Sequence, residues 1–198
     1  MEVINLACPG CGARVAVEYK ICDYCGGPIV IRTVQSIRAM PIAEVNKYAN
    51  SYRKALEEYP NDKGLNTSIA MCYLRLKLYD KAINAFEKAI EDNFEDADTF
   101  FYAAVCLLRG KKAFVAQRSD IDKIIEYLNA AIMIEPKGVY YFLLAYIKYD
   151  YFNRKYLNIS PTYQEELNNA LCNDCSGEDS DYLFSLLEVE KPNGLATF

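Results

Sequence analysis

Histidine and tryptophan are absent from this 198-residue chain, and the lack of histidine excludes several kinds of enzyme. Ser–His and Cys–His nucleophile pairs, H-E-x-x-H metalloproteases and zinc deaminases all need an imidazole. Any zinc site must therefore be built from cysteine, or from cysteine with carboxylate. The sequence also contains no phosphate-binding glycine loop and no nucleophile elbow. We therefore expect a protein that is not an enzyme.

Glycine and proline are scarce, at 9 and 7 residues, while hydrophobic residues make up 52% of the chain. This composition predicts a packed core. The most apolar run, residues 138–147, is far shorter than the roughly 18 residues of a membrane span, and residues 1–7 lack the basic start of a secretory signal. We expect a cytoplasmic protein without a membrane contact, in which cysteines stay reduced and Cys-x-x-Cys pairs indicate metal.

The net charge of −5 is unevenly distributed. Residues 111–160 carry a net +3, whereas residues 161–198 carry a net −7. An acidic protein is a poor candidate for general nucleic-acid binding, but the basic stretch keeps that alternative open. The acidic C-terminal part is either a solvated end or a contact for a basic partner.

Two Cys-x-x-Cys pairs lie within the first thirty residues. They read Cys8-Pro-Gly-Cys11-Gly and Cys22-Asp-Tyr-Cys25-Gly, with ten residues between the pairs. Two residues between cysteines allow a tight turn to direct both sulfurs at one ion, and the glycines suit a left-handed backbone. A thioredoxin-type redox motif would need only one pair, in a strand–helix context. A catalytic zinc would need an open coordination position, which four cysteines do not leave.

This double pair resembles the zinc-ribbon family over residues 6–32. The resemblance implies one structural Zn²⁺ bound by Cys8, Cys11, Cys22 and Cys25. Alternating apolar residues predict a strand over residues 13–19, and residues 28–32 predict a returning strand.

A third pair, Cys172 and Cys175, supplies only half of a zinc shell. One interpretation is coincidence near the end of a helix. The other is a second metal half-site, completed by carboxylates or by another copy of the chain.

From residue 33 onward, apolar residues recur at helical spacing. Residues 63–96 are the clearest unit, with Ile69, Ala70 and Tyr73 on a first helix and Ala82, Phe86 and Ala89 on a second. This pattern resembles the tetratricopeptide repeat (TPR), whose period is 34 residues. The resemblance implies paired helices that form a solenoid, in families that mostly bind peptides or proteins.

Neighbouring segments repeat this pattern less regularly. We expect a second helix over residues 42–58 and a first helix around residues 100–107. The second helix of that pair matches the repeat pattern eight residues later than the 34-residue period predicts, because extra residues lie at 110–119. Ser119 is its predicted N-cap. Further helices are predicted over residues 139–153, 160–171 and 181–187, the last two as an irregular end.

Aromatic and basic residues alternate over residues 140–156. Such residues can pack between helices, hold an acidic peptide, or stack bases and neutralise phosphates. The candidate partner-binding residues are Lys111, Lys112, Arg118, Tyr141, Lys148, Phe152, Arg154 and Lys155.

The predicted fold class is mainly α, a TPR-like helical-hairpin solenoid with a small N-terminal β zinc ribbon. The predicted domains are a ribbon over residues 1–32 and a helical repeat domain over residues 33–198. The combination resembles bacterial cytosolic proteins that join these two parts. The expected function is a protein–protein adaptor that binds a protein or peptide through the repeat surface. The alternative is a nucleic-acid-binding accessory protein that uses the ribbon and residues 111–156. The sequence leaves open whether the protein associates with further copies of itself.

Overall fold

The computed structural model describes residues 5–16, 19–91 and 95–195. Within these ranges, it contains eight α-helices and a single two-stranded sheet, so the predicted fold class, mainly α with a small N-terminal β segment, is confirmed. The chain forms two compact units, Met1–Asn93 and Phe94–Phe198. The domain boundary after residue 32 stays a prediction. Among the described residues, no helix is both long enough and apolar enough to cross a lipid bilayer.

The N-terminal segment of the first unit contains one short hairpin. Strand β1 (Asn5–Ala7) pairs antiparallel with β2 (Arg14–Ala16), which lies inside the predicted strand 13–19; residues 17 and 18 fall outside the described residues. The predicted strand over residues 28–32 is not formed, apart from an isolated bridge between Ile21 and Pro28. The Ile29 N–H donates to the Lys20 carbonyl at 3.0 Å, whereas the Ile29 carbonyl and the Ile31 N–H bond to side chains of helices in the same unit.

Three helices complete the first unit: α1 (Ile42–Glu58), α2 (Lys63–Arg75) and α3 (Tyr79–Ile90). The side chain of Asp62 caps α2 by accepting the Leu65 N–H at 2.7 Å. Helices α2 and α3 form the hairpin that the repeat pattern predicts. Small residues at its centre, such as Ala70 and Ala82, leave room for the fully buried ring of Phe86.

Five helices form the second unit: α4 (Ala97–Leu107), α5 (Arg118–Ile134), α6 (Gly138–Ile147), α7 (Tyr163–Cys172) and α8 (Gly177–Leu187). Capping boxes at Thr162 and Ser176 fix the starts of α7 and α8. The predicted N-cap at Ser119 is wrong. Helix α5 begins at Arg118 after Gln117, so Ser119 already lies inside the helix.

Helix α6 ends earlier than the predicted range 139–153. Residues Lys148–Phe152 form a π-helical turn, and Asn153–Lys155 form a 3-10 turn that ends at Tyr156 with φ +57°. Two charged side chains in the π turn are buried, Lys148 at 3% and Asp150 at 1% exposure, and both find partners on other elements.

Candidate metal centre

The sulfur atoms of Cys8, Cys11, Cys22 and Cys25 all lie within 4.8 Å of one another. The Sγ–Sγ distance is 3.6 Å between Cys8 and Cys25 and 3.8 Å between Cys11 and Cys22. A tetrahedron with metal–sulfur bonds of about 2.3 Å has edges of about 3.8 Å. The four cysteines therefore fit a tetrahedral thiolate site and could hold one metal ion.

Both Cys-x-x-Cys segments have the same backbone geometry. The Gly12 N–H donates to the Cys8 carbonyl at 2.8 Å, and the Gly26 N–H donates to the Cys22 carbonyl at 2.8 Å. Gly12 and Gly26 have φ values of +79° and +69°, which favour glycine. Each segment places one buried cysteine (Cys8, Cys22) and one exposed cysteine (Cys11, Cys25) at the site.

The buried side of the site rests on Tyr48 of α1, whose side chain is only 1% exposed. A methyl group on Gly27 would lie 2.8 Å from the Tyr48 hydroxyl and 3.4 Å from the Cys25 sulfur. A methyl group on Gly10 would lie 3.5 Å from the Tyr48 hydroxyl and 3.2 Å from the Cys25 sulfur. The glycines thus let the cysteine turns approach the phenol closely. The sequence pattern placed Tyr48 only as a helix-packing residue and gave no sign of this contact.

The pKa values of Cys22 and Cys25 are shifted in opposite directions. For Cys22, burial raises the pKa, but hydrogen bonds from the Tyr24 and Cys25 amides outweigh burial and lower the pKa to about 7. For Cys25, the Gly27 amide lowers the pKa, but burial and the neighbouring thiols raise it to about 12. The Cys22 thiol therefore ionises readily, and a bound cation would supply the charge that favours the thiolate form of Cys25.

In the described part of the chain, Cys172 and Cys175 belong to no comparable cluster of ligands, and their role as a metal half-site stays a prediction. In the part of the chain that the structure describes, the only group of three or more cysteine, histidine or acidic side chains close enough to hold a metal ion is the N-terminal one. Cys172 is exposed, whereas Cys175 is buried and its N–H donates to the Ala170 carbonyl at 3.0 Å. Within the described residues, this chain thus offers the pair no third ligand.

A shallow groove of about 220 Å³ lies on the first unit, between its three helices. Its floor is formed by Ile69 and Ala85, and its rim carries Lys81 and Lys88. The Lys81 ammonium lies 5.9 Å from the centre of the Tyr73 ring. The lining residues are Leu56, Asn66, Ile69, Tyr73, Lys81, Asn84, Ala85 and Lys88.

Two of the candidate partner-binding residues are buried. Lys148 is 3% exposed and pairs with Glu166 of α7 at 2.5 Å, and Phe152 is 3% exposed beneath the Arg118 guanidinium. Neither side chain is available to a partner in this structure. The remaining six are exposed or half-buried: Lys111, Lys112, Arg118, Tyr141, Arg154 and Lys155.

No family model matches this sequence, and no curated protein matches it either. Ten chains of solved structures do match. One of them, MamA MSR-1 C2, shares 16% sequence identity at a TM-score of 0.49, over 77% of this chain and 72% of that chain. A likeness of this size assigns no function to the present protein.

Proposed function

We propose that this protein is a non-enzymatic interaction module, an adaptor that binds a partner protein through its helical hairpins and holds one structural Zn²⁺. The observation that carries the proposal is the groove on the first unit, because both helices of the α2–α3 hairpin and helix α1 contribute to it. Paired helices commonly present such a groove to extended or helical segments of other proteins.

The donor set supports zinc in a structural role. Four thiolates at tetrahedral spacing suit Zn²⁺ and complete its shell, so no position is left for water or substrate. The surrounding contacts also favour a structural role, because the Ser51 hydroxyl donates to the Ala7 carbonyl at 2.7 Å and the Ile31 N–H donates to the Ser68 hydroxyl at 3.0 Å. These bonds join the cysteine segment to α1 and α2. A zinc–thiolate site further implies a reducing compartment, in agreement with the expected cytoplasmic location.

The chemistry of the groove indicates the kind of segment that it binds. Ile69 and Ala85 offer apolar contact, and the exposed Lys81 and Lys88 offer positive charge at the rim. A segment that combines an apolar side chain with acidic neighbours satisfies both. The exposed Asn84 adds hydrogen-bonding capacity to the main chain of such a segment.

The test is capture of partners from a lysate of the protein's own host, with nuclease added, followed by calorimetric titration of each purified partner. We expect the Lys81→Glu/Lys88→Glu variant to bind at least about tenfold more weakly than the wild type, because like charges at the rim repel an acidic segment. The matched control is Lys47→Glu/Lys54→Glu, which makes the same charge change on the exposed face of α1. If no protein is retained, or if nuclease removes every partner, the adaptor proposal fails and the nucleic-acid alternative gains.

A further inference from the structure

We propose that the second unit carries a separate protein-binding surface for an acidic segment with an apolar side chain. We name it the Phe114 patch, after its central residue. It consists of Lys111, Lys112, Phe114, Val115, Arg154 and Lys155. The proposal is independent of the groove and of the zinc site, both of which lie in the first unit.

The Phe114 patch is held in place from below by buried polar groups. The Phe114 N–H donates to the Asp150 carboxylate at 2.8 Å, and the Ala113 N–H donates to the Tyr146 hydroxyl at 3.2 Å. Asp150 is 1% exposed and also accepts a hydrogen bond from Arg154. It lies in the π-helical turn, a form that departs from regular helix and occurs often at functional sites. The loop is therefore fixed before any partner arrives.

Apolar atoms are exposed at the centre of this fixed loop. Phe114 is 36% exposed and Val115 is 64% exposed. The Arg154 guanidinium lies 4.6 Å from the centre of the Phe114 ring, and the Lys155 ammonium lies 5.1 Å from it. Lys155 also lies 3.6 Å from the centre of the Tyr151 ring. These cation–π contacts orient the positive charges around the apolar centre.

Three of the charges in the patch are available for a partner. Arg154 already pairs with Asp150. Lys111, Lys112 and Lys155 have no acidic side chain within 4 Å among residues 5–16, 19–91 and 95–195. A cleft of about 250 Å³ opens beside Lys112 and Arg154, but Asp150 and Glu190 also line it, so the exposed lysines and not the cleft carry the positive charge offered to a partner. The charge of the patch thus complements an acidic ligand.

The same details favour a protein over a nucleic acid. A base would have to stack on Phe114, but two cations already lie close to this ring. The aliphatic side chain of Val115 provides packing for a protein side chain and little for a sugar–phosphate chain.

Fluorescence anisotropy on the full chain tests the proposal with three labelled probes. The first is a peptide in which Asp and Glu alternate with Leu and Phe. The second is the same peptide with lysine in place of the acidic residues, and the third is oligothymidylate. We expect only the acidic peptide to bind. Because the groove of the first unit would hold a peptide of the same chemistry, the variants are compared in the Lys81→Glu/Lys88→Glu background. There Lys111→Glu/Lys112→Glu should weaken binding of the acidic peptide at least about tenfold, and Phe114→Ala should weaken it as well.

The control for the change of charge is Lys47→Glu/Lys54→Glu, which should bind the acidic peptide as the wild type does. Circular dichroism confirms that each variant is folded. Failure of the acidic peptide to bind the wild type, or equal binding by the patch and control variants, overturns the proposal. If the wild type binds oligothymidylate and Lys111→Glu/Lys112→Glu abolishes this binding, the proposal is overturned in favour of nucleic acid. If the wild type sediments as a dimer and the same variant sediments as a monomer, the proposal is overturned in favour of a second copy of the chain.

Discussion

The hydroxyl of Tyr52 donates a hydrogen bond of 2.9 Å to the carbonyl oxygen of Ile29, and both residues are fully buried. Tyr52 belongs to α1, whereas Ile29 follows the second pair of cysteines. This bond, together with the packing of Tyr48 under the glycines of the cysteine turns, makes α1 the support of the candidate metal centre. The cysteine segment and the helices of the first unit therefore share one core.

Replacing Tyr52 by Phe should destabilise the first unit by about 1–3 kcal/mol, because the Ile29 carbonyl would stay buried without its donor. Urea unfolding in the presence of zinc measures the change. Tyr19→Phe is the matched control, since Tyr19 is 57% exposed and should leave the free energy of unfolding within about 0.5 kcal/mol of the wild type. Equal stability of the two variants would contradict the role given to Tyr52.

Native mass spectrometry should find one zinc ion per chain. Cys22→Ser should remove it, because three thiolates leave the tetrahedral shell incomplete. Cys172→Ser should keep it, since Cys172 has no neighbouring group of ligands in the described structure. Two ions per chain in the wild type, and one in Cys172→Ser, would instead establish a second site at Cys172 and Cys175.

Removing one partner of the buried Lys148–Glu166 pair should be costly. Lys148→Met should lower the free energy of unfolding by about 3–5 kcal/mol, because the buried Glu166 side chain would lose its ion-pair partner. Lys148→Met/Glu166→Leu should recover much of that loss. Denaturant unfolding of both single variants and the double variant completes the cycle. Strictly additive effects would show that the two side chains do not act as a pair.

Gly138→Ala should disturb the packing of α6 against the end of α7. Its new methyl group would lie 2.5 Å from the Asn173 carbonyl oxygen and 2.6 Å from the Cys175 nitrogen, both of them backbone atoms. We expect a loss of about 1–3 kcal/mol in thermal or urea unfolding. Gly64→Ala is the control, because the closest atom to its methyl group is 3.5 Å away and alanine favours the helix. A Gly138→Ala variant as stable as the control would refute this close contact.

The sequence predicts local features better than contacts between distant residues. The spacing of Cys8, Cys11, Cys22 and Cys25 predicts their convergence, because each pair needs only a tight turn. The apolar period likewise predicts helices α1 to α3. The π turn could not be predicted, since aromatic residues at 149, 151 and 152 prolong the helical apolar pattern of α6 and the charges at 148 and 150 do not indicate a π turn. Its first residue, Lys148, pairs with Glu166, and this contact joins residues 18 positions apart.

Ile29 and Ile31 are a second case in which the sequence does not predict contacts between distant residues. The apolar run at residues 29–31 is typical of a strand, but the Ile29 carbonyl accepts from Tyr52 and the Ile31 N–H donates to Ser68. No local pattern encodes those partners. The position of Phe114 is similar, because an exposed aromatic ring in a loop gives no sign that Asp150 will fix it from 36 residues away.

The hydrogen bond from the Ile31 N–H to Ser68 also has a consequence for synthesis on the ribosome. All four zinc-ligand candidates leave the exit tunnel well before Ser68, so the nascent chain for a time presents its thiols without the helical surface that supports them. An ion captured during that interval is held by the cysteine turns alone. The bond from Ile31 to Ser68, which joins the cysteine segment to α2, forms only after α2 has emerged, so this part of the support for the candidate metal centre is added last.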